Sequence, residues 1–305
     1  MVLEVDPRDV HADDLRYLAA LADTGRLVAA ARALGVDHAT VSRRLRALEK
    51  ALGARLVGRG HDGWDLTEAG RAVVEHARAV QAAVERATLA AAGARADAIV
   101  GTVRITAADG FGTRFAVPAL ARVRAKHADL SVELVTGARQ LGLRDSSFDL
   151  ALTVGALPST RLFTERLCDY DFAFYASRAY LDEHGDPASL HELRSHRLVF
   201  FVDSLQRVRE LDLNTYLPDA TVGFSSTNIF ALVEAARRGA GVALLPKFMA
   251  QTAPDLRRIA AETPPARVVV TLAVRKDAMT RRDVQVVREA LHQEVRNRQQ
   301  ELTWN

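Results

Sequence analysis

The sequence predicts a multidomain α/β protein in which a winged helix-turn-helix and one long helix precede a larger region of alternating strands and helices. Three observations carry this prediction. Within residues 27–46, two helical segments flank a glycine, which is typical of helices joined by a tight turn. Residues 67–96 contain no proline and keep a helical repeat of apolar residues. From Gly101 onward, strand-like runs alternate with helical segments, which is typical of α/β domains.

The helix-turn-helix occupies residues 27–46. Its first helix ends at Leu34, Gly35 supplies a positive φ, and Asp37 caps the second helix. Apolar residues at i, i+4 and i+7 predict the buried face of this second helix: Val41, Leu45 and Leu48. The opposite face carries arginines and short hydrogen-bonding residues, which suit phosphates and base edges in a major groove. The predicted DNA contacts of the helix pair are Arg32, His38, Ala39, Thr40, Ser42, Arg43, Arg44 and Arg46.

An alanine-rich helix pair without a DNA function would show the same local pattern, so the charge around it matters. The segment from Arg26 to Arg59 holds eight basic and two acidic residues, a net charge of +6, whereas the whole chain carries only +3. The remainder of the chain is therefore net acidic. A positive segment confined to one region favours a local polyanion site over general attraction to anions.

A hairpin is predicted directly after the helix pair. Arg55-Leu56-Val57 and Trp64-Asp65-Leu66 are short β-prone runs, and the glycine-rich residues 58–63 between them favour a turn. Arg59 and His61 lie near the predicted tip, where they would reach a phosphate or the minor groove. A solvated surface turn is the alternative for both residues.

The long helix begins after Thr67, which caps it, and runs to about Ala96. Its apolar residues are spaced alternately by four and three, the repeat of a coiled-coil seam: Val73, Ala77, Val80, Val84, Ala87 and Ala91. This stripe predicts pairing with a second copy of the chain. A two-fold dimer would present two recognition helices to two half-sites on DNA.

Residues 13–71 resemble the DNA-binding region of LysR-type transcriptional regulators. The runs that carry the resemblance are Asp14-Leu15-Arg16-Tyr17-Leu18, Ala29-Ala30-Ala31-Arg32-Ala33-Leu34, Val41-Ser42-Arg43-Arg44-Leu45, Leu48-Glu49-Lys50-Ala51-Leu52-Gly53 and Leu66-Thr67-Glu68-Ala69-Gly70. The chain departs from the family pattern at Arg26-Leu27-Val28, where a Ser-Phe-Thr-like triplet is usual, and at Val57-Gly58-Arg59. The first departure falls where a phosphate contact is expected.

From Gly101 the pattern predicts a parallel sheet covered by helices. The predicted strands are 103–106, 131–135, 150–154, 172–175, 198–202, 221–224, 242–245 and 268–274. Helices are predicted at 138–145, 281–298 and 115–126, the last with Val117, Leu120 and Val123 facing inward.

This region resembles the effector domain of the same regulators, which is similar to periplasmic solute-binding proteins. The matching runs are Gly101-Thr102-Val103-Arg104-Ile105, Asp149-Leu150-Ala151-Leu152 and Gly239-Ala240-Gly241-Val242-Ala243-Leu244-Leu245-Pro246. The resemblance implies two lobes, 101–169 with 267–298 and 170–266, joined near 169–171 and 264–267. The predicted domains are therefore 1–66 for the winged helix, 67–100 for the linker helix and hinge, and 101–305 for the effector domain.

A ligand in such a domain lies between the lobes, at the carboxyl ends of strands and near helix N-termini. The loops that follow two predicted strands contribute Ala108, Asp109, Phe111, Ser225, Ser226 and Asn228. The resemblance adds Thr153, Phe201, Asp203 and Pro246. Helix capping is the alternative for the serine-rich loop. Two carboxylates, Asp109 and Asp203, would repel a small dianion, so we expect an effector with a cationic or hydrogen-bond-donating group.

The sequence gives little support to other functional classes of protein. The sequence contains no metal-ligand spacing, no Gly-x-Ser-x-Gly motif and no phosphate-binding glycine loop, so neither an enzyme nor a cofactor or metal site is expected. His184, His191 and His196 are predicted to be solvated. The single cysteine, Cys168, is predicted to be a small buried residue rather than a redox sensor.

Neither a signal peptide nor an apolar run long enough to cross a bilayer is present, which argues against a transport receptor and for a cytoplasmic protein without a membrane partner. The resemblance implies a transcriptional regulator that binds double-stranded promoter DNA as a homodimer or homotetramer. A small-molecule effector would change lobe closure and thereby the bend imposed on the DNA. RNA polymerase is a further candidate partner.

Overall fold

The computed structural model describes residues 6–59, 63–91, 99–137, 148–155, 162–202, 213, 217–218, 220–259 and 266–304. The chain divides between Gly101 and Thr102 into two compact units. Within the described ranges, no helix combines the length and apolar character that crossing a membrane requires.

The N-terminal unit begins with a short 3₁₀ helix, Pro7–Asp9, and three α-helices: α1 (Ala12–Thr24), α2 (Leu27–Leu34) and α3 (His38–Leu52). The predicted turn is confirmed. Gly35 has φ 66° after α2, and the side chain of Asp37 accepts a hydrogen bond of 2.7 Å from the Thr40 amide at the start of α3. The predicted face of α3 is buried against α1 and α2, so its opposite face is left to solvent.

The wing is a two-stranded antiparallel hairpin of β1 (Val57–Arg59) and β2 (Trp64–Leu66). Its first strand starts two residues later than predicted. The amides of Leu56 and Val57 donate instead to the carboxylate of Glu49 on α3, at 2.8 and 3.2 Å. This carboxylate therefore ties the base of the wing to the end of α3.

Helix α4 (Glu68–Ala91) begins as predicted, with the Thr67 hydroxyl accepting a hydrogen bond from the Gly70 amide. A Cβ at Gly70 would lie only 1.9 Å from the Leu56 carbonyl oxygen, so only glycine allows this close approach of helix and wing. Residues 92–96, the predicted end of the helix, lie outside the described residues.

The predicted apolar stripe of α4 is partly buried near the start of the helix and exposed farther along. Near the start of the helix, Val74 and Ala77 are fully buried within the unit, where α4 packs on α1. Val74 does not belong to the predicted stripe, while Val73 is only partly buried. Farther along, Val84 is 60% exposed and Ala87 is also exposed. Val84 and Ala87 of the stripe are thus accessible.

The C-terminal unit contains strands and helices in the order β3 (Gly101–Ala107), α5 (Asp109–Phe111), α6 (Val117–Lys126), β4 (Leu130–Thr136), β5 (Leu150–Val154), β6 (Leu162–Ser177), α7 (Arg178–His184), α8 (Leu190–Leu193), β7 (Leu198–Phe201), β8 (Val222–Ser226), α9 (Ile229–Arg237), β9 (Val242–Pro246), α10 (Lys247–Ala250), β10 (Leu256–Arg258), β11 (Ala266–Arg275), α11 (Arg282–Asn297) and α12 (Gln299–Leu302). The predicted helix at 138–145 lies outside the described residues.

These strands form one sheet in the order β4-β3-β5-β11-β6-β9-β7-β8, with β10 also paired to β6. The expectation of a parallel sheet is wrong. Only β3 with β5 and β7 with β8 and β9 are parallel among the described pairs; β11 is antiparallel to both β5 and β6, and β6 is antiparallel to β9. The long strands β6 and β11 therefore join the two parallel halves.

The predicted lobe crossings fall inside this antiparallel pair. Asp171 of β6 lies opposite Arg267 of β11, and the pairing extends from Ala266 and Phe172 to Arg275 and Leu162. The described parts of both crossings are thus strand rather than loop. Residues 264 and 265 lie outside the described part of the chain.

The helix after β3 also differs from its prediction. It starts at Asp109 and contains a π-helical turn, Gly112–Ala116, before α6. A π turn inserts an extra residue and rotates the helix that follows. Val117 is therefore 46% exposed rather than inward, while Leu120 and Val123 are buried as predicted.

The histidine prediction is wrong at one position. His184 and His191 are exposed, but His196 is buried, with Nδ1 3.2 Å from the Tyr180 hydroxyl oxygen. Desolvation lowers the pKa of His196. Nowhere in the described ranges do three or more histidine, cysteine, aspartate or glutamate side chains gather as a metal site would require.

Candidate nucleic-acid interface and effector site

The outer face of α3 presents most of the predicted DNA contacts to solvent. His38, Ala39, Arg43 and Arg46 are exposed, and Ser42 is half-buried. Two further contacts also lie in this unit, Arg32 exposed on α2 and Thr40 half-buried on α3. The Thr40 hydroxyl donates to Asp37 at 2.9 Å, so this side chain helps to cap the helix.

Most exposed basic side chains around α3 have no acidic partner among the described residues of this unit. Among the described residues, no carboxylate forms an ion pair with any of the exposed side chains Arg26, Arg32, Arg43, Arg46, Lys50, Arg55 and Arg59. Unpaired cations on a surface keep their full attraction for phosphates. The local charge excess predicted from the sequence is therefore available at the surface.

Arg44 differs from these residues. Its guanidinium lies 3.1 Å from the Asp14 carboxylate and 6.0 Å from the centre of the Tyr17 ring, both on α1. The sequence placed Arg44 among the DNA contacts. The structure places its side chain against the neighbouring helix.

The wing contributes one described basic residue. Arg59 is the last residue of β1, where it is opposite Trp64, and its side chain is exposed. His61 lies outside the described residues.

The first part of the candidate effector site follows β3. Ala108 occupies the cap position of this helix, and Asp109 is its first helical residue. The Oδ1 atom of Asp109 is buried without a hydrogen-bond partner among the described residues. Desolvation raises the pKa of this carboxyl. Phe111 is buried in an aromatic cluster, with its ring 5.0 Å from that of Phe115.

Thr153 lies at the same edge of the sheet. The parallel register pairs Ala107 with Leu152, so Thr153 and Asp109 follow directly at the carboxyl ends of adjacent strands. Thr153 is only 8% exposed, and its hydroxyl finds no partner in the described part of the chain. Its cross-strand neighbour Thr271 instead donates to the Gly155 carbonyl at 2.8 Å.

The second part of the site lies on β8 and α9. Phe201 is buried opposite Ser226, and Pro246 is buried at the end of β9, while Ser225 is exposed. The Asn228 side chain accepts hydrogen bonds from the Phe230 and Ala231 amides, and Ser226 accepts one from the Asn228 amide. Capping therefore occupies several donors that an anion would use. Asp203 lies outside the described residues.

Gly110 connects these two parts and was not anticipated from the sequence. A Cβ at Gly110 would lie 3.0 Å from Ile229 of α9 and 3.1 Å from the Met249 sulfur of α10. The first turn after β3 therefore touches the start of α9 directly. The sequence around Gly110 does not predict this contact, because Gly110 and Ile229 are about 120 residues apart in the chain.

Cys168 is half-buried, and burial raises the pKa of its thiol to about 12. At neutral pH the thiol is therefore protonated, which makes it a poor nucleophile.

Comparisons with known proteins cover both units. The model for the bacterial regulatory helix-turn-helix protein, lysR family, matches residues 12–71, and the model for the LysR substrate binding domain matches residues 96–296. An HTH-type transcriptional regulator from Xanthomonas campestris is 32% identical over 185 residues, 61% of this chain and 54% of that protein. The chain thus spans about half the length of this relative. The regulator CrgA of Neisseria meningitidis is 26% identical over 78% of this chain and 80% of its own.

Solved structures agree on the fold. A full-length OxyR variant from Pseudomonas aeruginosa matches with a TM-score of 0.70 at 19% identity, over 94% of this chain and 95% of that one. Full-length LysG from Corynebacterium glutamicum, solved with the effector arginine bound, matches with a TM-score of 0.65 at 21% identity, over 94% and 99%. With family models matched across both units, the chain belongs to the LysR family of transcriptional regulators, which join a helix-turn-helix DNA-binding domain to an effector-binding domain.

Proposed function

We propose that this chain binds promoter DNA through the outer face of α3 and the wing, and that a small molecule bound by the C-terminal unit controls this binding. The observation that carries the DNA part is the set of seven exposed basic side chains without a carboxylate partner among the described residues. Because the proposed binding partner is promoter DNA, we also propose that the protein acts in the cytoplasm.

The DNA part is tested with a duplex that the wild-type protein selects from a random-sequence pool. We expect Ser42→Ala and Arg43→Ala to abolish specific binding in a footprinting assay, since both side chains lie on the outer face of α3. Arg296→Ala removes an exposed positive charge from the other unit and serves as the control. Retained footprints with both α3 variants would contradict the proposal.

We propose an effector that donates hydrogen bonds, through a cationic or neutral group, to the carboxyl end of β3 and β5. Asp109 Oδ1 is a buried acceptor without a partner among the described residues, and the Thr153 hydroxyl is likewise unpaired there. An unpaired buried polar atom is costly, and a ligand that supplies the missing partner gains that free energy. The capped start of α9 offers few free donors to an anion.

Calorimetry tests this effector class with two sets of probes. Amines and guanidines, arginine among them because LysG was solved with arginine bound, form one set; dicarboxylates such as succinate form the other. We expect binding from the first set that Asp109→Asn weakens, because the substitution removes the anionic acceptor. Tight binding of a dicarboxylate that Asp109→Asn leaves unchanged would contradict the proposal.

We propose that the chain acts as a homodimer or homotetramer, with the exposed stripe residues Val84 and Ala87 of α4 in the contact. Val84 is 60% exposed and belongs to a stripe with alternating spacings of four and three residues, which is the repeat through which two helices pair in a coiled coil. Val84→Glu should therefore shift the mass measured by light scattering toward the monomer. Ala79→Glu adds the same charge on an exposed position away from the stripe and is the matched control.

A further inference from the structure

We propose that Arg44 is a positioning residue, which fixes the orientation of α3 against α1 through Asp14 and Tyr17 and does not itself contact DNA. This inference rests on the proposed binding of DNA by α3. It assigns opposite roles to two adjacent arginines of the same helix, Arg43 and Arg44.

The contact is built around a buried carboxylate. The side chain of Asp14 is only 3% exposed, and Arg44 Nη1 lies 3.1 Å from its Oδ1 atom. A carboxylate in such surroundings is unfavourable unless a charged partner compensates it. Arg44 is the one cation that pairs with Asp14 among the described residues. The pair is therefore required at this interface rather than incidental.

The arginine also lies against the Tyr17 ring, with its guanidinium 6.0 Å from the ring centre, and the side chain is 41% exposed. Its Nε atom is buried and has no hydrogen-bond partner among the described residues. Arg44 is three residues after Val41 and four before Leu48, both buried, so its side chain leaves α3 at the edge of the packed face. Arg43 and Arg46 leave from exposed positions and have no acidic partner in the described ranges.

Apart from the hydrogen bonds that Glu49 accepts from the wing at the end of the helix, the buried contacts of α3 in the core of the unit are apolar. Val41, Leu45 and Leu48 pack in the core of the unit, and such contacts are non-directional. The ion pair is directional, because it requires one guanidinium to meet one carboxylate. A recognition helix needs this precision, since functional groups must be held within about 0.5 Å of their productive geometry.

The test measures binding of the full-length chain to the selected duplex at several salt concentrations, by fluorescence anisotropy. We expect Arg43→Gln to lower the specific affinity and to reduce the slope of log affinity against log salt by about 1, because it removes an exposed positive charge from the proposed DNA-binding face. Arg44→Gln should lower specific affinity by about tenfold while leaving that slope unchanged, because only geometry is lost. Asp14→Asn should have the same effect as Arg44→Gln, although Asp14 carries the opposite charge.

A charge exchange separates positioning from simple stability. The double variant Asp14→Arg with Arg44→Asp restores the ion pair in reverse and should recover specific affinity relative to either single exchange. Affinities are compared at a temperature where circular dichroism shows every variant to be folded.

Three results would overturn the proposal. One is a reduced salt slope for Arg44→Gln, which would make Arg44 a phosphate contact. Another is unchanged affinity of the folded Arg44→Gln and Asp14→Asn variants, which would leave the pair a structural role only. The third is a double variant no better than its singles. If Arg43→Gln changes neither affinity nor slope, the proposed DNA-binding face itself fails, which is a distinguishable outcome.

Discussion

Arginines in the two units of this chain are used in opposite ways. In the N-terminal unit, Arg43 and Arg46 stand on an exposed helix face without an acidic partner among the described residues. In the C-terminal unit, Arg281 pairs with two carboxylates, Arg288 meets Glu165, and Arg298 binds two glutamates. The same residue type is thus left exposed and unpaired at these positions of the N-terminal unit and is paired with carboxylates at these positions of the C-terminal unit.

The difference lies in the surroundings and not in the number of arginines. A paired guanidinium has its field cancelled by the carboxylate beside it, whereas an unpaired one attracts polyanions over roughly a Debye length, about 8–10 Å at physiological salt. Counting charges therefore identifies a binding surface only when partners are counted as well. Arg44 is the corresponding case inside the N-terminal unit, because its guanidinium is paired with the carboxylate of Asp14.

The largest expected effect comes from Arg281. It lies between Asp149 and Asp283, at 2.7 and 2.6 Å, and donates to the Thr102 carbonyl. Arg281→Met would leave two carboxylates that are 14% and 8% exposed without this partner. Since removing one partner of a buried ion pair is strongly destabilising, we expect a loss of about 3 kcal/mol in the free energy of unfolding, measured in urea.

The matched control is Arg296→Met in the helix that follows Arg281. Arg296 pairs with Glu289, but both side chains are more than half exposed. Surface ion pairs contribute roughly 0–1 kcal/mol. An equal loss for both variants would show that exposure does not decide the cost and would break the comparison.

Features set by neighbouring residues could be predicted from the sequence. The turn at Gly35 and the cap at Asp37 depend on a few adjacent residues, and both were found as expected. The antiparallel pairing of Asp171 with Arg267 joins residues 96 positions apart, and no local pattern contains it. The contact between Arg44 and Asp14 was missed for the same reason, because the two residues are 30 positions apart. The buried Oδ1 atom of Asp109, which has no hydrogen-bond partner among the described residues, could not be predicted either, because burial is defined only in the folded chain.

An intermediate effect is expected at the binding surface. Arg46→Gln and Arg59→Gln should each reduce the salt slope of DNA binding by about 0.9 and leave the free energy of unfolding unchanged within ~0.5 kcal/mol. Both side chains are exposed and unpaired among the described residues, so folding does not depend on them. Anisotropy titrations and urea denaturation of the same samples provide the two measurements.

Arg288→Gln provides the reverse case. This arginine pairs with Glu165 in the C-terminal unit and lies 5.6 Å from the centre of the Phe163 ring. Its loss should reduce stability and leave the salt slope unchanged. If instead it lowers the slope as much as Arg46→Gln, paired arginines also take part in DNA binding, and the division between the two units is wrong.

The smallest effect is a pH dependence confined to the paired region. Hydrogen bonds from Arg288 lower the pKa of Glu165, and those from Arg298 lower the pKa of Glu301. A carboxyl whose pKa is lower in the folded state stabilises the protein above its unfolded value, about 4.5, and loses that contribution as the pH falls through the folded value. The stability of the C-terminal unit should therefore decline below about pH 4.5.

Asp109 should change the stability with pH in the direction opposite to Glu165 and Glu301. Desolvation raises the pKa of its carboxyl, so its contribution is fully present below the unfolded value of 3.8 and is lost as the pH rises through the folded value. Asp109→Asn should accordingly gain stability relative to the wild type at neutral pH, whereas Glu165→Gln should lose it. The chain has two tryptophans, Trp64 in the wing and Trp304 beside Arg258, so the fluorescence of a Trp64→Phe background follows the C-terminal unit alone. A change in stability in the same direction for both substitutions at pH 7 would contradict this prediction. It would mean that the Asp109 carboxylate, unpaired among the described residues, and the Glu165 carboxylate, paired with Arg288, contribute alike to stability. The proposal of a hydrogen-bond-donating ligand at Asp109 would then lose its electrostatic argument.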